Sequence, residues 1–210
     1  MAAVILAVLA GLTGILTIHF DARGQRGRFL VSKPLATALI IAAGFAAEST
    51  VSPGYKTFVL AGLGCSLAGD VFLMFPENWF RAGLASFLAA HLCYILAFKP
   101  PPGEPVSTAV LLPFVIYGLL VFLMLAPFLK GLKMPVFVYT AAITVMAWLA
   151  ANRFIELGGP KTLMAFAGAL LFLVSDSVLA YDRFARKFAR ARLIVLATYL
   201  PAQILIALSV

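Results

Sequence analysis

With 210 residues, of which 63% are apolar and 11% charged, and a mean hydropathy of +1.06, the chain falls outside the range of soluble domains, which run at roughly 45–50% apolar and about 25% charged. A formal charge of +8 would raise nucleic-acid binding in a soluble protein, but here the 16 basic residues sit in short breaks between apolar stretches, the pattern that orients membrane proteins, and no nucleic-acid partner is implied. No hydrophilic block is long enough to fold outside a bilayer, so residues 1–210 read as a single transmembrane helical domain.

A helix needs roughly 20 apolar residues to cross about 30 Å of hydrocarbon. Eight such stretches follow one another, at residues 2–20, 31–48, 57–75, 81–98, 107–129, 134–151, 162–180 and 192–210, predicting an all-α polytopic fold of about eight transmembrane helices. The first stretch lacks a basic leader and a small-residue cleavage site, so it is expected to stay as a helix. The second opens at Lys33 with Pro34 suited to a first helical turn, and the break between the fifth and sixth lies at Lys130 to Lys133.

Twelve of the basic residues fall on the side of the odd-to-even connections, and only Lys56, Lys99, Arg153 and Lys161 fall on the other. The richer side is expected to be cytoplasmic, which places both termini on the non-cytoplasmic side of what reads as a bacterial cytoplasmic membrane. Cys65 and Cys93 lie inside apolar stretches and read as packing residues, without the companions that a disulfide framework or a metal site requires.

Two acids stand out. Asp70 and Asp176 each lie near the cytoplasmic end of their spans, at similar depth just inside the hydrocarbon, where a carboxylate must pair, protonate or line a wet cavity. The bland alternative is an interfacial carboxyl that reaches headgroup water. Around them a weak repeat runs at an offset of 106: Gly62, Leu67, Asp70 and Leu73 recur as Gly168, Leu173, Asp176 and Leu179. Four spans separate the copies, an even number, so a duplication would make a parallel 4+4 arrangement; coincidence among common residues is the competing reading.

Other polar residues in the spans are candidates for the same site. His91 sits near the middle of the fourth span, with Gly83, Phe87 and Tyr94 near its helical face; Tyr199 and Gln203 share a face of the eighth at i and i+4. For His91 the bland reading is a hydrogen bond across a helix interface, and for Lys33 a side chain that snorkels to the interface. Gly62, Ser66 and Gly69 flank Asp70 and read as a close-packing face. Glu77 and Asp182 read as solvated loop acids, Glu48 at the end of the second span lies on the far side, and none of the three is given a role.

Three segments together resemble the YhhN family, transmembrane proteins that include animal lysoplasmalogenases: KPLATA at 33–38, GLGCSLAGDVFLM with FRAGLASFLAAHLCYILAF, and GALLFLVSDSVLAYDRF with TYLPAQILIA. Lys-Pro, Gly-Asp, a mid-helix His, Ser-Asp and Tyr-x-x-x-Gln in that order are jointly specific, and they cover nearly the whole chain after the first span. The resemblance implies an eight-helix hydrolase that cleaves the vinyl ether of a lysoplasmalogen, a single-chain ether phospholipid drawn from membrane lipid, to a fatty aldehyde and a glycerophospho-base. The two aspartates it requires match Asp70 and Asp176.

The residues fit that chemistry. Protonation of the outer vinyl carbon gives an oxocarbenium ion, water adds, and the hemiacetal collapses; one acid and one base suffice, and no metal or cofactor is called for. A carboxyl in low-dielectric surroundings can hold the proton while a second carboxylate steadies the cation or activates water, and the sequence leaves open which aspartate does which. His91, Tyr94, Tyr199 and Gln203 are expected to orient water or the ether oxygen, and Lys33 or nearby arginines to hold the phosphate. The rival readings are a proton-coupled transporter of small molecules or lipids using the same aspartates, an aspartyl intramembrane protease, and a structural protein in which the aspartates bond across helices.

Overall fold

A computed structural model describes residues 1–48, 52–100 and 106–210, without the side chains of 76–78, so the expectation for Glu77 lies outside the described residues. The described residues are 87% helical with no strands, and eight helices among them are long and apolar enough to span a membrane. They are α1 (Ala2–Ala22), α2 (Arg26–Ala46), α3 (Pro53–Leu73), α4 (Pro76–Phe98), α5 (Leu111–Leu125), α6 (Lys133–Leu157), α7 (Pro160–Ala180) and α8 (Ala191–Leu208). In hydrocarbon every backbone N–H and C=O needs an internal partner, and an apolar stretch of this length answers that only as a helix.

The ends follow local chemistry. Prolines in the first turn start α3, α4 and α7, and the Ser52 hydroxyl caps α3 by accepting from the Tyr55 backbone N–H. Gly158 and Gly159, at φ of 63° and 87°, make the tight reversal between α6 and α7 in a conformation that favours glycine. Two short 3₁₀ turns, Ala126–Phe128 and Lys130–Leu132, separate α5 from α6, and α7 runs on into a π-turn, Tyr181–Ala185.

Several boundaries differ from expectation by four to six residues, among them the starts of α2 and α4 and the end of α6. α2 begins at Arg26, well before Lys33, so Pro34 lies inside the helix; a proline is tolerated in a transmembrane helix because neighbouring helices and hydroxyl side chains re-satisfy the freed backbone. α6 continues past residue 151 to Leu157 because its polar residues find partners. The Asn152 side chain accepts from the Ser107 backbone N–H, and the Arg153 guanidinium lies over the Tyr55 ring, 4.9 Å from its centroid.

The helices pack as a ring, α2–α3–α4–α6–α7–α8, closed by α8 against α2. α1 lies in the groove between α2 and α8, while α5 packs on α6 and touches the π-turn. Advancing each element by four helices maps α2–α3 onto α6–α7, α3–α4 onto α7–α8 and α4–α6 onto α8–α2, the neighbour relations of a parallel 4+4 arrangement. The small residues of the repeat serve it: a Cβ at Gly62 would run into the Tyr94 ring of α4, and one at Gly168 would lie 2.9 Å from the Ala202 backbone oxygen of α8.

Candidate active site

Asp70 lies in α3 between α2 and α8, its side chain 1% exposed. Lys33 and Thr37, one turn apart on α2, both reach it: the Lys33 ammonium sits 2.9 Å from Oδ1 as an ion pair, and the Thr37 hydroxyl donates to Oδ2 at 2.8 Å. From α8 the Tyr199 hydroxyl donates to the same Oδ2 at 2.8 Å, with the Lys33 ammonium 5.8 Å from the Tyr199 ring centroid. One cation and two hydroxyl donors therefore meet a single buried carboxylate, the compensation that buried charge demands. Lys33 is thus held at the carboxylate instead of snorkelling to the interface.

Asp176 lies in α7 beside α6, and its surroundings are different. Its Oδ2 accepts from the Tyr139 hydroxyl of α6. The His91 Nε2 of α4 stands 3.6 Å from the same oxygen, longer than a hydrogen bond, and neither His91 ring nitrogen has a hydrogen-bond partner among the described residues. The imidazole is held by aromatic edges, 5.0 Å from Tyr139 and 4.9 Å from Phe172 between ring centroids. Among the described residues no lysine or arginine pairs with Asp176.

The two centres occupy matching positions but differ in their partners. The offset of 106 that carries Asp70 to Asp176 carries Lys33 to Tyr139, so the preceding helix of each half presents a cation to one carboxyl and a phenol to the other. Phe172, one turn before Asp176, touches both centres: its ring meets His91 on one side and Tyr199, 5.4 Å away, on the other. Behind it the Tyr94 hydroxyl donates to Gln203 Oε1 at 2.8 Å, one turn along α8 from Tyr199. Tyr94 and Gln203 therefore support the centres from behind and do not touch either carboxylate.

Asp70 and Asp176 line one cavity of about 430 Å³ that opens at the end of the bundle carrying the α1–α2 and α7–α8 connections. Its rim carries five cations: Arg26, Lys33, Arg183, Lys187 and Arg192. Lys33 is held by Asp70 and Arg192 by Asp21 at 2.8 Å, whereas Arg26, Arg183 and Lys187 have no carboxylate within ion-pair distance among the described residues. Arg183 lies over the Phe80 ring, 4.4 Å from its centroid, and Asp182, expected to be a free acid, accepts from the Phe188 backbone N–H.

Of the seven residues expected from the sequence, Asp70, Asp176, Lys33, His91 and Tyr199 come together here, with Tyr94 and Gln203 one layer back. Thr37, Tyr139 and Phe172 were not anticipated. Extending the repeat to the preceding helix would have found Tyr139 opposite Lys33; no sequence signal marks Thr37 or Phe172 apart from ordinary core residues.

The YhhN family model matches residues 28–210, which takes in all nine polar residues that build or support the two centres. The chain belongs to the YhhN family. Similar proteins include the pig protein named lysoplasmalogenase TMEM86B, 39% identical over 159 residues, 75% of this chain and 65% of that protein. The human protein of the same name is 37% identical over 177 residues, 80% of this chain and 69% of that one. The membrane protein YhhN of Escherichia coli O157:H7, 26% identical, covers 93% of both chains. This chain spans about two thirds of the length of the animal relatives. No solved structure matches it significantly. Membership and the eight apolar helices make it a polytopic integral membrane protein of the YhhN type.

Proposed function

We propose that this protein is a membrane-embedded ether hydrolase that cleaves the vinyl ether of a lysoplasmalogen to a fatty aldehyde and a glycerophospho-base. The observation that carries this reading is the unequal pair of carboxyls in one cavity, which supplies the acid and the ionised partner that the reaction needs. The names of the animal relatives support the same substrate class.

Asp70, met by Lys33, Thr37 and Tyr199, is the ionised member. Asp176, met by one phenol and no lysine or arginine, is the proton donor. Its proton goes to the outer vinyl carbon, which leaves an oxocarbenium ion whose positive charge faces the Asp70 carboxylate. Water adds to the oxygen-bearing carbon and its spare proton returns to Asp176. The hemiacetal then collapses, its hydroxyl proton ending on the glycerol oxygen as the carbon–oxygen bond breaks. Arg26, Arg183 and Lys187 at the rim suit the phosphate of the polar portion, and the excess of basic residues on that side supports a cytoplasmic rim in a bacterial membrane with both termini opposite.

One observation favours a second reading. The 4+4 packing is the kind of repeat on which transporters are built, and a proton-coupled transporter would use the same aspartates. Aldehyde release from a lysoplasmalogen by protein purified in detergent separates the two, because hydrolysis needs no compartments. Turnover by the wild type, lost in monodisperse Asp70→Asn and Asp176→Asn variants, is the expected result; no turnover by a well-folded wild type would overturn the hydrolase in favour of transport.

A further inference from the structure

The two halves differ in how their outer helix packs. α1 fills the groove between α2 and α8, but its counterpart α5, 15 residues against 21, packs on α6 without comparable contact with α4 among the described residues. Between α4 and α5–α6 the second half has an apolar cleft lined by Leu84 of α4, Tyr117 and Val121 of α5, and Thr140 and Ile143 of α6. This cleft and the polar cavity share one wall, formed by Leu73, Phe80, Phe87, Asp176, Leu179 and Arg183. Asp176 thus faces both spaces, whereas Asp70 faces the polar cavity.

From this junction we infer that the cleft between α4 and α5–α6 is the binding site for the single hydrocarbon chain of the substrate, and that its depth sets chain-length preference. The inference rests on the hydrolase reading for the identity of the chain. The bond to be cleaved joins a polar headgroup to a long apolar chain, and here a cation-rimmed cavity meets an apolar cleft across an acid. A lipid laid across that wall puts its phosphate near Arg26, Arg183 and Lys187, its ether oxygen towards Asp70 and its outer vinyl carbon, the atom that takes the proton, on the chain side where Asp176 stands. The α4 and α7 residues of the cleft come from the same halves of those helices that line the cavity, so a chain sliding in sideways between α4 and α5 stays at the depth of one leaflet.

The test fills the cleft and leaves both centres intact. Val121→Trp and Leu84→Trp are compared with Leu120→Trp, a position on the exposed outer face of α5, for turnover of a lysoplasmalogen with a hexadecenyl chain and of a butenyl analogue with the same headgroup. The expected result is a KM for the long chain raised by about tenfold or more in the cleft variants, since a blocked channel forfeits the burial of several methylenes, with the butenyl analogue and the Leu120→Trp control within about twofold of wild type. Unchanged long-chain KM in folded cleft variants would overturn the chain site and leave the hydrolase standing. Binding of the saturated hexadecyl ether lysolipid, read as a rise in the denaturation midpoint, judges the site even if the wild type cleaves nothing: the rise should vanish in Val121→Trp, and its persistence there would also overturn the inference.

Discussion

The Asp70 and Asp176 centres share a helix position, a preceding helix that supplies the main side-chain partner, and a neighbour from the other half, yet the groups that meet the two carboxyls differ in charge. Asp70 has a lysine, a threonine hydroxyl and a tyrosine hydroxyl; Asp176 has a tyrosine hydroxyl and a histidine held off at 3.6 Å. Two identical carboxyls in the same environment would share one proton with no preference between them. A cation at position 33 and a phenol at the matching position 139 remove that degeneracy, which on the proposed hydrolase reading separates an acid from its ionised partner.

The largest expected effect comes from erasing the difference. Tyr139→Lys would give Asp176 the cation that Asp70 already has, converting the donor to a salt-bridged carboxylate. Turnover should then fall by ~10²–10⁴-fold, the usual worth of a positioned general acid, with folding retained because the new pair copies one the fold already holds. Tyr139→Phe, which adds no charge, should fall less. Near wild-type turnover in Tyr139→Lys would reverse the assignment of donor and ionised partner.

The converse removes the cation. Lys33→Met leaves a buried carboxylate with two hydroxyls and no counter-charge, which should cost ~3–5 kcal/mol in denaturant unfolding in detergent. Lys33→Met combined with Asp70→Asn should recover most of that loss, because the charge that needed a partner is gone. If the double variant is no more stable than the single, Asp70 does not carry the charge assigned to it.

The contrast between centres also explains what could be read from the chain. Eight spans were legible because hydrocarbon permits only one backbone solution for a long apolar stretch, and the aspartates because a carboxyl there is never neutral to the fold. Helix ends were less so: Lys33 and Pro34 look like a start, yet α2 begins at Arg26, because a charged residue inside hydrocarbon is tolerated when a partner such as Asp70 exists on another helix. Tyr139 and Phe172 went unmarked for the opposite reason, since aromatic residues in a span look like packing until the fold puts a carboxyl beside one and two centres beside the other.

Close packing gives a smaller effect that differs between halves. At Gly168 an added methyl meets the Ala202 backbone oxygen at 2.9 Å and Ile206 Cγ1 at 2.8 Å, and a backbone atom within a helix cannot step aside. At Gly62 it meets the Tyr94 ring, which can tilt only by disturbing the hydroxyl bond to Gln203. Both glycine-to-alanine changes should destabilise by ~1–3 kcal/mol, the range for overpacking, but only Gly62→Ala should also alter turnover, through the Tyr94–Gln203–Tyr199 side of the Asp70 centre.

Thr37→Val should have the smallest effect, and it sharpens the comparison furthest. The repeat places Ile143 opposite Thr37, so the second half already lives with an apolar side chain at this position. Valine keeps the shape and removes one of the two hydroxyl donors from Asp70 Oδ2, while the Lys33 ion pair and the Tyr199 hydrogen bond remain. A cost of ~1 kcal/mol with turnover reduced only a few fold would fit a donor that supports a charge already fixed by lysine. A loss as large as that of Lys33→Met would mean that the hydroxyls, not the cation, set the state of Asp70, and the difference at positions 33 and 139 would not by itself account for two unlike carboxyls.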